Sequence, residues 1–391
     1  MTQYQAFEPV KTSGALDIPF FRPHLTGREV EYVSDAIARR SLAGNGPYTQ
    51  RAVELLRGLT GVPAMLTTTG TDALELAVTA LDLPPGEEVI VPSYTFVSTA
   101  SCLLQAGLVP VFADVELDTA NLDVAAMEAV IGPRTRAVIP VHYAGVAVDM
   151  SALKTLAERH GLVIVEDASH GIGGRYRGQS LGAIGEMGVF SFHQSKNVTS
   201  GEGGALLIRD TRYLAVAEVN HEIGTDRARF LRGEITQYSW IVRGSNYLMS
   251  DLLAAFLLAQ LEGLATVTAR RQRIWHAYEA ALRPYADAGR LMLPRVPPDC
   301  DSSFHFFHFL MPTHREREAL RAFLRERGIG AAVHYTALHR SAGGQRFGVQ
   351  RTACPNAERV ETCILRPPCY TDLTETDQQR VIDALHEFFR A

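Results

Sequence analysis

An α/β fold, with a mostly parallel sheet in a large first domain and a smaller α+β domain after it, is what this sequence predicts. Three observations lead there. Short β-branched runs alternate with helical patterns from about residue 64 onward, the arrangement of crossover units with helices on both faces of a sheet. The helical patterns place apolar residues at the spacing of a single face. After about residue 255 the pattern changes to fewer strands and a closing amphipathic segment.

In chain order, "EEVIVPSY" (Glu87 to Tyr94), "GLVPVFADV" (Gly107 to Val115), "RAVIPVHY" (Arg136 to Tyr143), "GLVIVEDAS" (Gly161 to Ser169) and "MGVFSFH" (Met187 to His193) each read as a buried strand. Between them, "TDALELAVTAL" sets Leu74, Ala77, Val78 and Leu81 on one helical face, and "MSALKTLAERHG" reads similarly. The stretch from Asn246 to Gly289 predicts one long helix or a pair. "SFHFFHFLM" then alternates like a strand, which would send His305 and His308 to opposite faces as edge or domain-contact residues instead of converging them on a metal. "TETDQQRVIDALHEFFR" predicts a last helix capped by Thr374 or Thr376. We read the large domain as residues 1–254 and the small one as 255–391.

Composition narrows the function classes. Of 391 residues, 46% are hydrophobic, 21% charged and 8% aromatic, the balance of a globular enzyme and not of a disordered chain. The formal net charge of -5 offers no broad basic footprint for nucleic acid. Five cysteines form no CxxC pair, so free thiols in the cytoplasm are expected and no metal site is. Glu8 and Lys11 interrupt the N-terminal stretch, so no secretory signal is expected there, and "LLAAFLLA" ends at Gln260, too soon to span a membrane.

In an open parallel sheet, ligands sit beyond the carboxyl ends of the strands. Three clues lie at such ends. "LVIVEDASH" delivers Asp167 and His170, and "GVFSFHQSK" delivers Ser191 and Lys196. "TTTGTDAL" breaks from an apolar run into hydroxyl residues as a helix begins, which makes a phosphate cradle of free N–H groups and Thr hydroxyls. A phosphate cradle, an acid and a lysine together are what pyridoxal 5'-phosphate requires: an amine for its aldehyde, a carboxylate beside its ring nitrogen, and an anchor. Phe96, in "PSYTFVS", is a candidate to stack on the ring.

From "IPFFRPHLTGREVEYV" through "PSYTFVSTA", "VPVHYAGVAVDM", "VEDASHGIGGRYRG", "FSFHQSKNVTSGEGGAL" and "YLMSDLLAAFLLAQLE" to "HYTALH", the chain resembles the DegT/StrS-type nucleotide-sugar aminotransferases, which have the aspartate-aminotransferase fold (fold type I). Within them it is most similar to the dTDP-4-oxo-6-deoxy-glucose transaminases. The resemblance implies that Lys196 is the Schiff-base lysine, that Asp167 contacts the pyridine nitrogen and that Ser191, Thr71 and Asp72 bind the phosphate, Asp72 through its backbone N–H. It further implies that Phe96 stacks on the ring and that Asn246 reaches the phosphate from the partner chain of a homodimer. Tyr335 and His339 are implied for the sugar-nucleotide pocket, with Arg243 for the diphosphate. The chain departs from the family at His170, where Gln is common; a histidine there could still bond the ring hydroxyl, with a charge state set by pH near 6.5.

The implied reaction takes the amino group of L-glutamate to the 4-oxo carbon of a dTDP-sugar, with amination at carbon 3, or a non-catalytic cofactor-binding regulator, as alternatives. Family members that dehydrate carry His in place of the lysine, so Lys196 favours transamination. Two other motifs were weighed. "GQSLG" fits a hydrolase nucleophile elbow at Ser180, but no helix pattern follows it. "GIGGRYRG" likewise precedes no helix, as a dinucleotide fingerprint should.

Overall fold

The computed structural model describes residues 16–390, so Glu8 and Lys11 lie outside the described residues. Its main sheet has eight strands: β1 (Ala64–Thr67), β2 (Glu88–Pro92), β3 (Val109–Ala113), β4 (Thr135–Val138), β5 (Val163–Asp167), β6 (Met187–Ser191), β7 (Gly204–Ile208) and β8 (Val349–Gln350). They lie in the order β1-β7-β6-β5-β4-β2-β3-β8. Only β7 runs against its neighbours; the pairs β6/β5, β5/β4, β4/β2, β2/β3 and β3/β8 are all parallel. The five strands expected from apolar runs form within those runs, shifted by a residue at β4. Residue pair β8 was not anticipated: it comes from the C-terminal part and extends the sheet edge.

The helices that shape the molecule are α1 (Glu29–Ala38), α2 (Pro47–Thr60), α3 (Gly70–Ala80), α4 (Ser98–Gln105), α5 (Met150–His160), α6 (Asp251–Glu262), α7 (Leu264–Asp287), α8 (His314–Glu326) and α9 (Glu375–Arg390). Alternate residues of each strand point to opposite faces and so join different cores. Ile90, Val111, Val138, Ile164 and Phe190 pack with α1, α2, α5 and α6, through Tyr32, Leu56, Leu153 and Leu257. Val89, Val91, Phe112, Val165 and Val189 pack with α3 and α4, through Leu74, Ala77 and Leu103. Burial on both faces explains why these strands read as continuous apolar runs.

A third core joins α7, α8 and α9 through Trp275, Tyr278, Leu320, Leu324, Leu385 and Phe389, and it reaches the sheet at Tyr94 and Tyr143. The expected division after residue 254 falls inside α6, whose residues through Leu261 pack in the first core. The stretch from Asn246 to Gly289 is a helix pair, bent by 59° at its break. No single helix among the described residues is long and apolar enough to cross a membrane; this pair passes only by joint length and composition, and α6 is buried. Thr374 Oγ1 accepts from Asp377 N, capping α9 as expected.

One expectation fails. "SFHFFHFLM" is a strand only at Phe309–Leu310, because Phe304 adopts a left-handed φ of 51° that breaks the extended path. His305 and His308 therefore lie outside any strand and are not edge residues; both are buried, at 5% and 3% exposure.

Candidate active site

Strand β5 ends in two adjacent acids with opposite fates. Glu166 is fully buried and accepts from the backbone N–H groups of Gly182, Ile184 and Gly185 at 2.9, 2.6 and 2.6 Å. It also accepts from His142 Nε2 at 2.8 Å, since Val148 N donates to the Nδ1 of that ring. Three of these four contacts hold the loop that leads into β6, and the fourth ties Glu166 to His142 beyond β4. Asp167, one residue on, faces a cavity of about 520 Å³ and takes only Thr99 Oγ1 at 2.8 Å and Ser169 N at 3.1 Å.

Beyond β6 the chain turns tightly. Lys196 N donates to His193 O, Gln194 N to Gly201 O, and Ser200 N to Phe192 O. Gly201 sits at φ +83, where a side chain would be strained, and a Cβ on Gly204 would lie 2.3 Å from Thr69 O. Those two glycines let the turn close and β7 re-enter beneath α3. Lys196, in the middle of this turn, lines the same cavity, and its amine makes no hydrogen bond or ion pair among the described residues. Desolvation pushes its pKa down to about 8, against the opposing pull of Asp167.

The opposite end of the cavity is the start of α3. Thr69 caps it, accepting from Asp72 N at 3.0 Å, which leaves the N–H groups of Gly70 and Thr71 pointing off the helix end. Thr71 Oγ1 meets Ser98 Oγ at 2.7 Å, and a Cβ on Gly70 would lie 2.7 Å from that of Ser191. Gly70, Thr71, Ser98 and Ser191 therefore form a small concave rim of donors at the positive end of a helix. Phe96 lines the cavity and is 54% exposed, with Tyr335 as a tilted ring neighbour at 5.9 Å.

The structure thus brings Lys196, Asp167, Thr71, Phe96, His170, Ser191 and Tyr335 to one cavity. It does not bring the others. The N–H of Asp72 is spent on Thr69 and its carboxylate on the Thr68 hydroxyl. His339 is buried away from the cavity, Nδ1 against Ser93 Oγ at 2.5 Å and Nε2 against Glu358 at 3.2 Å, so in this chain it is a packing residue and not a pocket one. Arg243 and Asn246 are exposed and line nothing here. The His170 ring is buried, and desolvation together with the charges of Lys196 and Arg366 pushes its pKa well below the ordinary histidine value.

Sequence reasoning missed a second wall. A smaller cavity of about 210 Å³ adjoins the first, sharing His170, Ser195, Lys196, His334 and Tyr335, and adding Phe20, Phe21, His305, Phe306 and Arg366. His305 stacks on His170 at 4.4 Å and bonds Asn197 at 2.9 Å, next in sequence to Lys196. Only the run of histidines hinted at this wall. A more open groove of about 600 Å³ near Arg270 and Asp372 holds no nucleophile and lies apart from these residues.

Comparison with known proteins agrees with this geometry. Among solved structures, S. venezuelae DesV is 32% identical, with 92% of this chain and 94% of that one covered at a TM-score of 0.83. The aminotransferase TlmJ of Streptoalloteichus hindustanus is 27% identical over 95% and 99% of the two chains, with a TM-score of 0.87. The putative sugar aminotransferase Spr1654 of Streptococcus pneumoniae, in its PMP-form, is 26% identical over 95% and 99%, also at 0.87. The family model for DegT/DnrJ/EryC1/StrS aminotransferases matches residues 23–386, and the chain belongs to that family of pyridoxal-phosphate-dependent sugar aminotransferases, with the fold type I architecture expected of it.

Proposed function

We propose that this enzyme moves the amino group of L-glutamate to the 4-oxo carbon of a dTDP-4-oxo-6-deoxy-hexose, giving a dTDP-4-amino-4,6-dideoxy-hexose. The observation that carries the transamination is the unpartnered Lys196 amine, held at a pKa of about 8 between an acid and a donor-lined rim. The choice of carbon 4 and of the dTDP carrier rests on overall likeness to the transaminases named above.

The residues present fit the cofactor. The rim of Gly70, Thr71, Ser98 and Ser191 suits a phosphate, and the room at Gly70 is space that a Cβ would close. Phe96 offers a partly exposed ring to an aromatic ligand, and His170 Nδ1 is a buried atom with no partner, available to a ring hydroxyl. Asp167 keeps acceptor capacity for a ring N–H beyond its bonds to Thr99 and Ser169. When bound, pyridoxal phosphate supplies an aldehyde that couples to amines and a protonated ring that accepts electron density.

Around it, the chain's residues have separable tasks. Lys196 would hold the cofactor and, as a free amine, would take a proton from the donor's α-carbon; a depressed pKa puts its free base within reach at neutral pH. The same amine later returns a proton to the sugar carbon. Asp167 holds the ring proton, and Thr99 and Ser169 orient Asp167. Tyr335, 5.9 Å from Phe96 ring to ring, closes the cavity on the C-terminal side.

A homodimer is part of the same proposal. Trp240 (78% exposed), Ile241 and Val242 present apolar surface directly before Arg243 and Asn246, which would carry those two residues to the partner's cavity. The test is product analysis by mass spectrometry and proton NMR with L-glutamate and dTDP-4-oxo-6-deoxy-glucose. A 4-amino sugar nucleotide is expected. Amination only of a 3-oxo sugar would move the reaction to carbon 3, and no response of the cofactor spectrum to glutamate would leave a regulator.

A further inference from the structure

Four buried residues form a closed ring of contacts between the Lys196 turn and the chain just past β5. Asn197, next in sequence to Lys196, donates from Nδ2 to the Ser303 carbonyl at 2.8 Å. That bond decides which end of the amide points which way. Its Oδ1 therefore faces His305 Nδ1, at 2.9 Å, and the proton between them belongs to the imidazole. The His305 ring lies on the His170 ring, with centres 4.4 Å apart and planes 21° from parallel. Ser303 Oγ closes the ring of contacts by donating to the His170 carbonyl at 2.5 Å.

The two histidines in this ring are held on unequal terms. His305 is fixed at its backbone, where its N–H donates to Ala144 O and its carbonyl accepts from Arg271 Nη1 at 2.6 Å, and fixed again at its imidazole by Asn197. The neighbouring Ser303 packs so closely that a Cβ on Gly145 would lie 1.9 Å from its Oγ. His170 has no such tether: among the described residues no hydrogen bond holds its imidazole, and its Nδ1 is buried without a partner. Tyr143 and Phe306 meet it only edge to face, at 5.9 and 5.4 Å. The flat contact with His305 is thus what sets the plane of the His170 ring.

The charged groups around the pair are Lys196, Arg271 and Arg366, with His334 beside them. Desolvation first, and those charges after it, push both rings well below the ordinary histidine range. A neutral ring keeps one N–H to give and one lone pair to accept with.

We propose that His305 is a positioning residue for the cofactor: its face holds His170 at the angle from which that ring meets the hydroxyl of pyridoxal phosphate, and Asn197 ties that angle to the turn carrying Lys196. This rests on the reading of His170 as the partner of the ring hydroxyl, and on neither the donor nor the sugar.

The test is calorimetry of two unreactive probes on the apoenzyme: pyridoxine 5'-phosphate, which has the hydroxyl but no aldehyde, and its 3-deoxy analogue, which lacks the hydroxyl. Neither can be joined to Lys196. Wild type should prefer pyridoxine phosphate about tenfold, the scale of one hydrogen bond, and H170A should lose that preference. H305L, which removes the flat face, should bind the analogue as wild type does and prefer pyridoxine phosphate by no more than about twofold. N197A, which frees the His305 ring, should fall between, at about fourfold. Equal weakening of both probes in H305L, or a preference kept at the wild-type level, would overturn the proposal, since a residue needed only for packing weakens the two together. If H305L does not fold, H305Q decides, because it keeps a donor for Asn197 without the face: a lost preference supports the proposal and a kept one overturns it. No preference in wild type, or its survival in H170A, would instead remove the His170 reading and the inference with it.

Discussion

The two walls of the cavity are built on different terms. On the sheet side, the supporting groups are fixed before any ligand arrives: Glu166 has four donors, Asp167 is oriented by Thr99 and Ser169, and Thr69 caps α3, which leaves the Lys196 amine and the first N–H groups of α3 as the open, aimed ones. On the C-terminal side, buried atoms are left open, with His308 Nδ1 and Arg366 Nε both unpartnered. A finished wall can hold a permanent cofactor in one pose, because nothing there needs to rearrange. An unfinished one is suited to molecules that come and go, since each completes it only while bound. The difference teaches that hydrogen-bond satisfaction, atom by atom, separates what stays from what passes through.

That contrast can be broken in order of expected effect. Lys196→Ala should lower turnover by about four orders of magnitude or more while leaving the fold intact, since the amine has no structural bond to lose; appreciable transamination would remove the lysine from its role. The neighbouring acids should then part company. Glu166→Gln should cost about 3 kcal/mol of stability in denaturant melts, by disrupting a fully buried carboxylate network, with little change in kcat of the protein that remains folded. Asp167→Asn should do the reverse, lowering kcat about 100-fold at near-normal stability. Equal behaviour of the two would contradict their assignment to structure and to chemistry.

Smaller effects sharpen the picture. Gly70→Ala places a Cβ against Ser191, and cofactor retention on dialysis should fall about tenfold, with Ser191→Gly added to relieve the clash and restore part of it. The mildest test is pH. Only the free amine attacks an aldehyde, so capture of pyridoxal phosphate by apoenzyme should accelerate with pH and level off above about 8, where a lysine at its ordinary 10.5 would keep accelerating.

The sheet wall was legible in the sequence because its residues are local. Asp167 and Lys196 follow apolar runs directly, and the cradle announces itself where "TTTG" meets a helical pattern. The other wall depends on contacts between distant segments: His170 stacks on His305, and Arg366 on Phe20 and Phe306. No spacing rule reports such meetings. Period-two alternation in "SFHFFHFLM" even misled, since a single left-handed residue at Phe304 undid the strand it implied. His339 misled differently, for a position in a motif does not say which way a ring turns, and here it turns toward Ser93 and Glu358.

The chain offers an unusually clean way to test the central claim, because it has only three lysines, Lys11, Lys154 and Lys196. Borohydride reduction of the holoenzyme, followed by peptide mass mapping, reads which amine the cofactor is joined to. One cofactor mass per chain, on the peptide containing Lys196, is the expected result. A bound cofactor that cannot be fixed by reduction, or one fixed on Lys154 or Lys11, would contradict the account.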